Sequence, residues 1–390
     1  MSQRVLSAAG MKQAAYRRLP KMMFDFLEGG VLDEVTAARN IEAMQSVTYR
    51  QRAFPDVAHM DLSSSMLGQK TEVPFFIGPM GMLGMIHPDA DPGIARAISD
   101  MGGIFIHSAW SGVALPEVVA AAAPGRVWAQ VQFWKDRRHT ENHLAEAQNL
   151  GIDVLVLPGD CTVGEDRERE MQHGMTRLPP ALSFPDIVSC AMHPGWVAGV
   201  LFGGRKATYG NYQPEGRPLR MPEMKPFMKA NKDLTVSWKD VQKTRQQWPG
   251  KLVIKGIMCA EDARIAIDLG ADAVYVSNLG GRQFDRGAAT ISVLDEVVAE
   301  VDGQVEVYCD GGVQRGSDVL NVLSRGAQAA GIGRAAAYAL AAGGGKAAGQ
   351  LLETMRAELQ TAMGFCGVNT VEGINPSVRR EPLPEKAAAL

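Results

Sequence analysis

Val276-Ser277-Asn278-Leu279-Gly280-Gly281-Arg282-Gln283-Phe284-Asp285 follows directly on an apolar run, Ala271-Asp272-Ala273-Val274-Tyr275. The run reads as a buried strand, and the polar, glycine-rich part begins where that strand ends. In a barrel of parallel strands this end is the catalytic face. Outward from here the chain repeats one alternation. Short apolar segments read as strands at 74–78, 104–106, 127–131, 154–157, 252–255, 273–276 and 305–309. An eighth, built of small residues, reads at 327–330 and runs into Gly331-Ile332-Gly333. Helical stretches such as 261–269 and 316–323 lie between the later strands. Eight strands, each followed by a helix, predict an α/β chain folded as a TIM (β/α)8 barrel.

Two regions fall outside the alternation. Residues 1–70 read as an N-terminal helical cap, in which one helix ends at Gly29-Gly30. Residues 160–250, after the fourth strand, are too long for an ordinary loop and are expected to form a lid-like insertion. The insertion carries Pro179-Pro180, Gly203-Gly204 and a mixed-charge run over 217–232. The organisation read here is one barrel domain over 1–390. Lys plus Arg number 40 and Asp plus Glu 43, a formal charge of −3, which gives no reason to expect nucleic acid or an anionic membrane as a partner. Five cysteines, at 161, 190, 259, 309 and 366, show no metal or redox spacing. No signal-peptide pattern is visible. The apolar stretch 187–202 falls short of a membrane span and reads as a partly buried segment of a soluble, cytoplasmic protein.

Asp310-Gly311-Gly312-Val313 follows the seventh strand, and Gly331-Ile332-Gly333-Arg334 closes the eighth. Glycines let backbone N–H groups approach a phosphate, and barrels often bind phosphate at these two loops. On these residues alone the ligand is a flavin, a nucleotide or a sugar phosphate. Nearly the whole chain resembles the FMN-dependent α-hydroxy-acid oxidase and dehydrogenase family, whose signature Ser-Asn-His-Gly-Gly/Ala-Arg-Gln-Leu-Asp aligns with 277–285. The resemblance implies FMN as cofactor and a homo-oligomer. It places Pro79, Met80 and Gly81 along the flavin ring, Ser108 and Gln130 on its polar edge, and Lys255 near its N1 end, with Ser277 bonding the cofactor too. Asp310, Gly311, Gly312, Gly333 and Arg334 would hold ribityl and phosphate, with Arg315 beside them. Two positions depart from the family: Gln314 stands for an arginine before Arg315, and Pro158 for a threonine.

The substrate side departs further. The resemblance gives Arg167 and Arg282 the task of holding a substrate carboxylate, which suits the two parallel bonds of a guanidinium fork. Arg167 lies among Glu165, Asp166, Glu168 and Glu170, where a salt-bridge cluster would look the same, and Thr162 and Glu165 replace a proline and a glycine of the family run. The family's catalytic His is Leu279 here, and its two substrate-facing tyrosines are Phe26 and Gln132. Of the seven histidines none matches a catalytic position; His107, next to Ser108, reads as a buried structural one. Asp160, whose family role is to orient the missing His, is a candidate base or a partner for the arginines. The chain is therefore expected to be an FMN-dependent oxidoreductase acting on a small carboxylate-bearing molecule without the usual His base. The alternatives are slow α-hydroxy-acid oxidation with Asp160 or water as base, and an FMN-binding protein without redox turnover.

Overall fold

The computed structural model describes residues 7–161, 163–175, 181–202, 208–213 and 216–380. Eight parallel strands close a barrel: β1 (Phe75–Ile77), β2 (Ile104–His107), β3 (Arg126–Gln130), β4 (Val154–Pro158), β5 (Lys251–Ile257), β6 (Ala273–Val276), β7 (Glu306–Cys309) and β8 (Ala329–Ile332). The fold is the expected TIM barrel. Alternation sorts the strand residues into two shells. Phe76, Ile104, Ile106, Trp128, Val154, Val156, Val253, Tyr275 and Tyr308 fill the barrel. Phe75, Phe105, Leu155, Leu252, Ile254, Val274 and Val307 face the surrounding helices. The same alternation, carried past the strand ends, sends Gln130, Lys255, Ser277 and Asp310 inward at the catalytic face.

The eighth strand differs in position from its expectation. Ala327 and Gln328 precede it, and pairing of Ala330, Gly331 and Ile332 with Phe75, Phe76 and Ile77 sets its register. A run of alanines carries no pattern that could mark this start. The helices around the barrel are α4 (Ala90–Ser99), α5 (Leu115–Ala122), α6 (Arg137–Asn149), α11 (Trp238–Gln247), α12 (Ala260–Asp268), α13 (Thr290–Val301), α14 (Gly316–Ser324) and α15 (Arg334–Cys366), the last broken at Gly343 and Gly344.

N-terminal to the barrel lie α1 (Ala8–Arg18), α2 (Lys21–Glu28) and α3 (Val35–Gln45). A hairpin, Ser64–Met66 with Gln69–Thr71, follows them and puts Met66 against the barrel's inner cluster. Between β4 and α11 come α7 (Glu168–Gln172), α8 (Phe184–Ala191), α9 (Pro194–Phe202) and α10 (Met221–Asn231). A short antiparallel pair, Thr208–Tyr209 with Leu219–Arg220, precedes α10. Thr162, Pro179-Pro180 and Gly203-Gly204 lie outside the described residues.

The 187–202 stretch is partly buried, as expected, with Cys190 and Trp196 packed against the core, but much of its apolar surface is not covered. It forms α8 and α9 with Ile187, Val188, Met192 and Phe202 turned outward, and Phe184 joins them. Only Asp186 of α8 is buried, in a network with His173 Nδ1 at 2.6 Å, and His173 Nε2 reaches Asp25 at 2.7 Å. That polar anchor ties α8 to α2 and leaves its apolar side without a partner.

Candidate active site

A cavity of 990 Å³ opens at the C-terminal ends of the strands, where the barrel rule puts active sites. It runs from the β7 and β8 loops, past Lys255, to the insertion. Its wall contains Pro79, Met80, Gly81, Ser108, Gln130, Lys255, Asp310, Gly311, Gly312, Gly333 and Arg334. Phe26, Gln132, Arg167, Leu279 and Arg282 line it as well. Three of the expected site residues do not. Ser277 is buried just below, where its Oγ accepts from Leu279 N at 3.3 Å. Asp160 is off the wall and pairs with Lys255. Arg315 is turned away, its guanidinium 2.5 Å from Glu358 on α15; Gln314 reaches the wall instead. The Arg315 expectation is thereby corrected: the helix N-terminus it precedes aims it along the barrel exterior.

The β7 and β8 loops form a cradle. Gly311 and Gly312 hold φ of +96° and +88°, and a Cβ on Gly312 would sit 2.4 Å from the Asn40 carbonyl oxygen. A Cβ on Gly333 would meet nothing within 4 Å, so that position borders open space beside the first turn of α15. Asp310 Oδ1 and Arg334 Nε, both buried on this part of the cavity wall, have no protein partner. A buried orphan of this kind calls for a ligand atom. An acceptor carboxylate for hydroxyls and a guanidinium for phosphate, at the mouth of a glycine cradle, fit the ribityl phosphate of FMN.

Lys255 is the buried cation of the site. Its Nζ donates to Asp160 Oδ2 at 2.7 Å and lies 5.7 Å from the centre of the Tyr275 ring. Burial opposes the ammonium, but Asp160 and Asp310 outweigh it and raise its pKa. Burial in turn raises the Asp310 carboxyl, against the pull of Lys255. Cys161 adds its thiol to the other Asp160 oxygen at 3.3 Å. Asp160 is thus tied to a cation and a thiol rather than free at the cavity.

On the substrate side, Arg282 donates through Nη1 to the carbonyls of Phe26 at 2.9 Å and Gly29 at 2.7 Å, and its guanidinium stacks 5.5 Å from the Phe26 ring. Its Nη2 reaches Glu170 Oε1 at 2.9 Å. Arg167 donates to the same Glu170 oxygen at 3.2 Å and, through Nε, to the Arg282 carbonyl. Arg334 also donates to the Gly29 carbonyl, at 3.0 Å. Burial, then Arg167 and Arg334, pushes the Arg282 guanidinium well below the ordinary arginine value. Arginine keeps its proton at any ordinary pH, so the guanidinium stays a cation in a place where burial and two neighbouring cations oppose it. Gly29 caps α2 with φ of −58°, not a left-handed turn; its importance is the carbonyl that two arginines share.

Leu279 occupies the centre of this region with φ of +52°, a left-handed conformation a leucine seldom adopts. None of the described histidines lines the cavity. His107 is buried and neutral, its Nε2 3.0 Å from the Val113 carbonyl and its pKa pushed down by burial to about 4. The roof is aromatic and sulfur-rich: Trp110, Trp134, Tyr209, Met224 and Met228. Trp110 and Trp134 meet edge to face at 5.2 Å, and Trp110 and Tyr209 at 5.8 Å. Sequence reasoning missed this roof and Glu170. The signal available was the density of Trp, Tyr and Met in two separate stretches, 110–134 and 209–228, which nothing in the sequence joins.

A family model for FMN-dependent dehydrogenases matches residues 15–381. An L-lactate dehydrogenase of Caulobacter sp. (strain K31) is 35% identical over 376 residues, 96% of this chain and 98% of that protein. One from Alcaligenes faecalis is 34% identical over 97% of this chain and all of its own length, 100%. Among solved structures, the monotopic membrane protein (S)-mandelate dehydrogenase superposes with a TM-score of 0.91 at 29% identity, covering 97% of this chain and 100% of its own. A mandelate oxidase with benzoyl-formic acid gives 0.79 at 29% identity, covering 96% of this chain and 98% of its own. The chain belongs to the FMN-dependent dehydrogenase family, and it is an FMN-dependent oxidoreductase.

Proposed function

We propose that this FMN barrel, one domain with the 160–250 insertion as its lid, oxidises a carboxylate-bearing small molecule larger or more apolar than lactate. The step is one that needs no His base, such as oxidation of a neutral amine or of an already acidic group. The observation that carries this reading is the cavity wall, which holds Arg167 and Arg282 but no described histidine, with Leu279 at the expected base position. Bound FMN supplies the two-electron acceptor. Lys255 places a fixed cation beside the acceptor site, favouring negative charge there. The arginine pair orients the carboxylate, and the aromatic roof keeps water from the reacting atoms. The test is anaerobic flavin bleaching with a panel of carboxylates and amines. Bleaching by a carboxylate-bearing neutral amine, but not by its hydroxy analogue, is the expected result. A panel that leaves the flavin oxidised throughout would instead favour an FMN-binding protein without turnover.

The arginines give a second test. Oxalate is expected to perturb the flavin spectrum by binding between them. Arg167→Met should weaken that binding about tenfold to a hundredfold, since a hydrogen bond to a charged group contributes about 1.5–3 kcal/mol. Arg282→Met should weaken it at least as much, because its guanidinium also braces the Phe26 and Gly29 carbonyls. Spectral titration reads both. Undiminished binding in the double variant would mean that the substrate need not be an acid.

The expected cytoplasmic homo-oligomer without membrane contact meets one contrary observation. No helix among the described residues is long and apolar enough to cross a membrane. Yet Phe184 is 77% exposed, Met192 73% and Phe202 84%, and 187–202 contains no Asp, Glu, Lys or Arg. Exposed apolar patches of this kind mark interaction surfaces. With a monotopic membrane protein among its structural neighbours, the reading favoured is shallow attachment of α8 and α9 to a lipid surface. Co-sedimentation with phosphatidylcholine and phosphatidylglycerol vesicles should pull the protein down, and Phe184→Ser with Phe202→Ser should release it. A protein that stays in the supernatant with both vesicle types would restore the cytoplasmic reading.

A further inference from the structure

We propose that Glu170 is a built-in competitor for the substrate anion, a resident carboxylate that sets how tightly the arginine pair holds an acid. This rests on the arginine pair being the anion site. Glu170 lies on the cavity wall, in the first turn of α7, three residues after Arg167. One oxygen, Oε1, accepts from Arg282 Nη2 at 2.9 Å and from Arg167 Nη1 at 3.2 Å. Its side chain is only 17% exposed, as is that of Arg282. Arg282 Nη1 holds two backbone carbonyls and Arg167 Nε holds a third. The N–H groups that converge from both arginines therefore meet on an internal carboxylate.

An arriving carboxylate has two courses. It takes the two N–H groups and turns Glu170 aside, or it binds the remaining guanidinium edges with Glu170 still in place. In the first, the ion pairs to Glu170 are lost. In the second, two carboxylates share a mostly buried site, and like charges at short range repel strongly where water is scarce. Both courses subtract from anion affinity by an amount that Glu170 alone controls. Glu170 thus separates acids that offer the arginines only a carboxylate from those that also gain contacts at the aromatic roof.

The test is spectral titration of the FMN-loaded protein with oxalate, a bare dicarboxylate with nothing to offer the roof. Glu170→Gln keeps the shape and removes the charge, and should tighten oxalate binding about tenfold or more, the scale of a charge-assisted hydrogen bond. Glu170→Asp keeps the charge but shortens the reach, preserves a carboxylate for folding, and should tighten binding by a smaller factor. Equal or weaker binding in both variants would overturn the proposal, because a residue that only positions the arginines cannot improve affinity when removed. Arg282→Met separates the two levels of the argument. If oxalate still binds that variant undiminished, the anion sits elsewhere and the arginine reading fails. If binding is lost there but Glu170→Gln brings no gain, the competitor idea alone fails.

Discussion

Mixed anaerobically at saturation with lactate, glycolate or mandelate, the FMN-loaded protein is expected to bleach more slowly than about 1 s⁻¹, the lower end of the common turnover range. A positioned general base contributes about 10²–10⁴ in rate, and the groups described in the site are poor replacements for it. Leu279 has no proton acceptor. Asp160 is held by Lys255 at 2.7 Å and is not on the wall. Burial pushes the Tyr209 phenol up to about 12, so it stays protonated at neutral pH. Burial, and then Asp160, pushes the Cys161 thiol up as well. Glu170 is engaged by two guanidinium groups through one oxygen. Stopped-flow absorbance decides the matter. Bleaching at about 10–10³ s⁻¹ would show that one of these groups replaces the histidine in full, and would return the chain to ordinary hydroxy-acid oxidation like its lactate and mandelate relatives.

The fold was legible because strand alternation in a barrel has a fixed consequence. Once Val253 faces inward, Lys255 must too, and the same parity fixes Gln130 from Trp128 and Asp310 from Tyr308. Which of these residues face the cavity could therefore be read from the sequence. Arg315 was misplaced because it lies beyond the strand, where parity ends and the start of a helix sets direction. The substrate side is built by chain segments far apart in sequence. Tyr209, Met224 and Met228 reach the roof only because the insertion folds back over Trp110 and Trp134, a contact with no local signature. Glu170 sat in a run of charges that reads as a solvated face; its partner on β6's loop is 112 residues away. The outward-facing apolar side of α8 had no signature for a similar reason. Apolar composition signals burial, and what turned this helix outward is a His–Asp anchor that composition does not reveal.

Lys255→Met is expected to be the most damaging single substitution to stability. Lys255 is 1% exposed and faces Asp160 at 2.7 Å, with Asp310 close enough to raise its pKa. Removing one partner of a buried ion pair costs about 3–5 kcal/mol, because the remaining charge keeps its desolvation penalty without its compensation. At the usual unfolding entropy per residue this is a drop of about 4–6 °C in Tm for a chain of this length. The pH dependence has a definite sign. The folded pKa of Lys255 lies above its unfolded value, so its contribution is complete below the unfolded value, near neutral pH included, and fades as pH rises through the folded one. In the Met variant Asp310, already raised by burial, loses the cation that holds it down, and its pKa rises further. As pH falls it takes up a proton, and the penalty of that unpaired buried charge disappears. The gap in Tm between native and variant protein should therefore be widest at pH 7–8 and narrow toward pH 5. Thermal unfolding across that range, with FMN in saturating excess, is the measurement. A gap that is constant with pH would mean that Lys255 supports the barrel through its packing against Tyr275, and that the Asp160 pair contributes nothing.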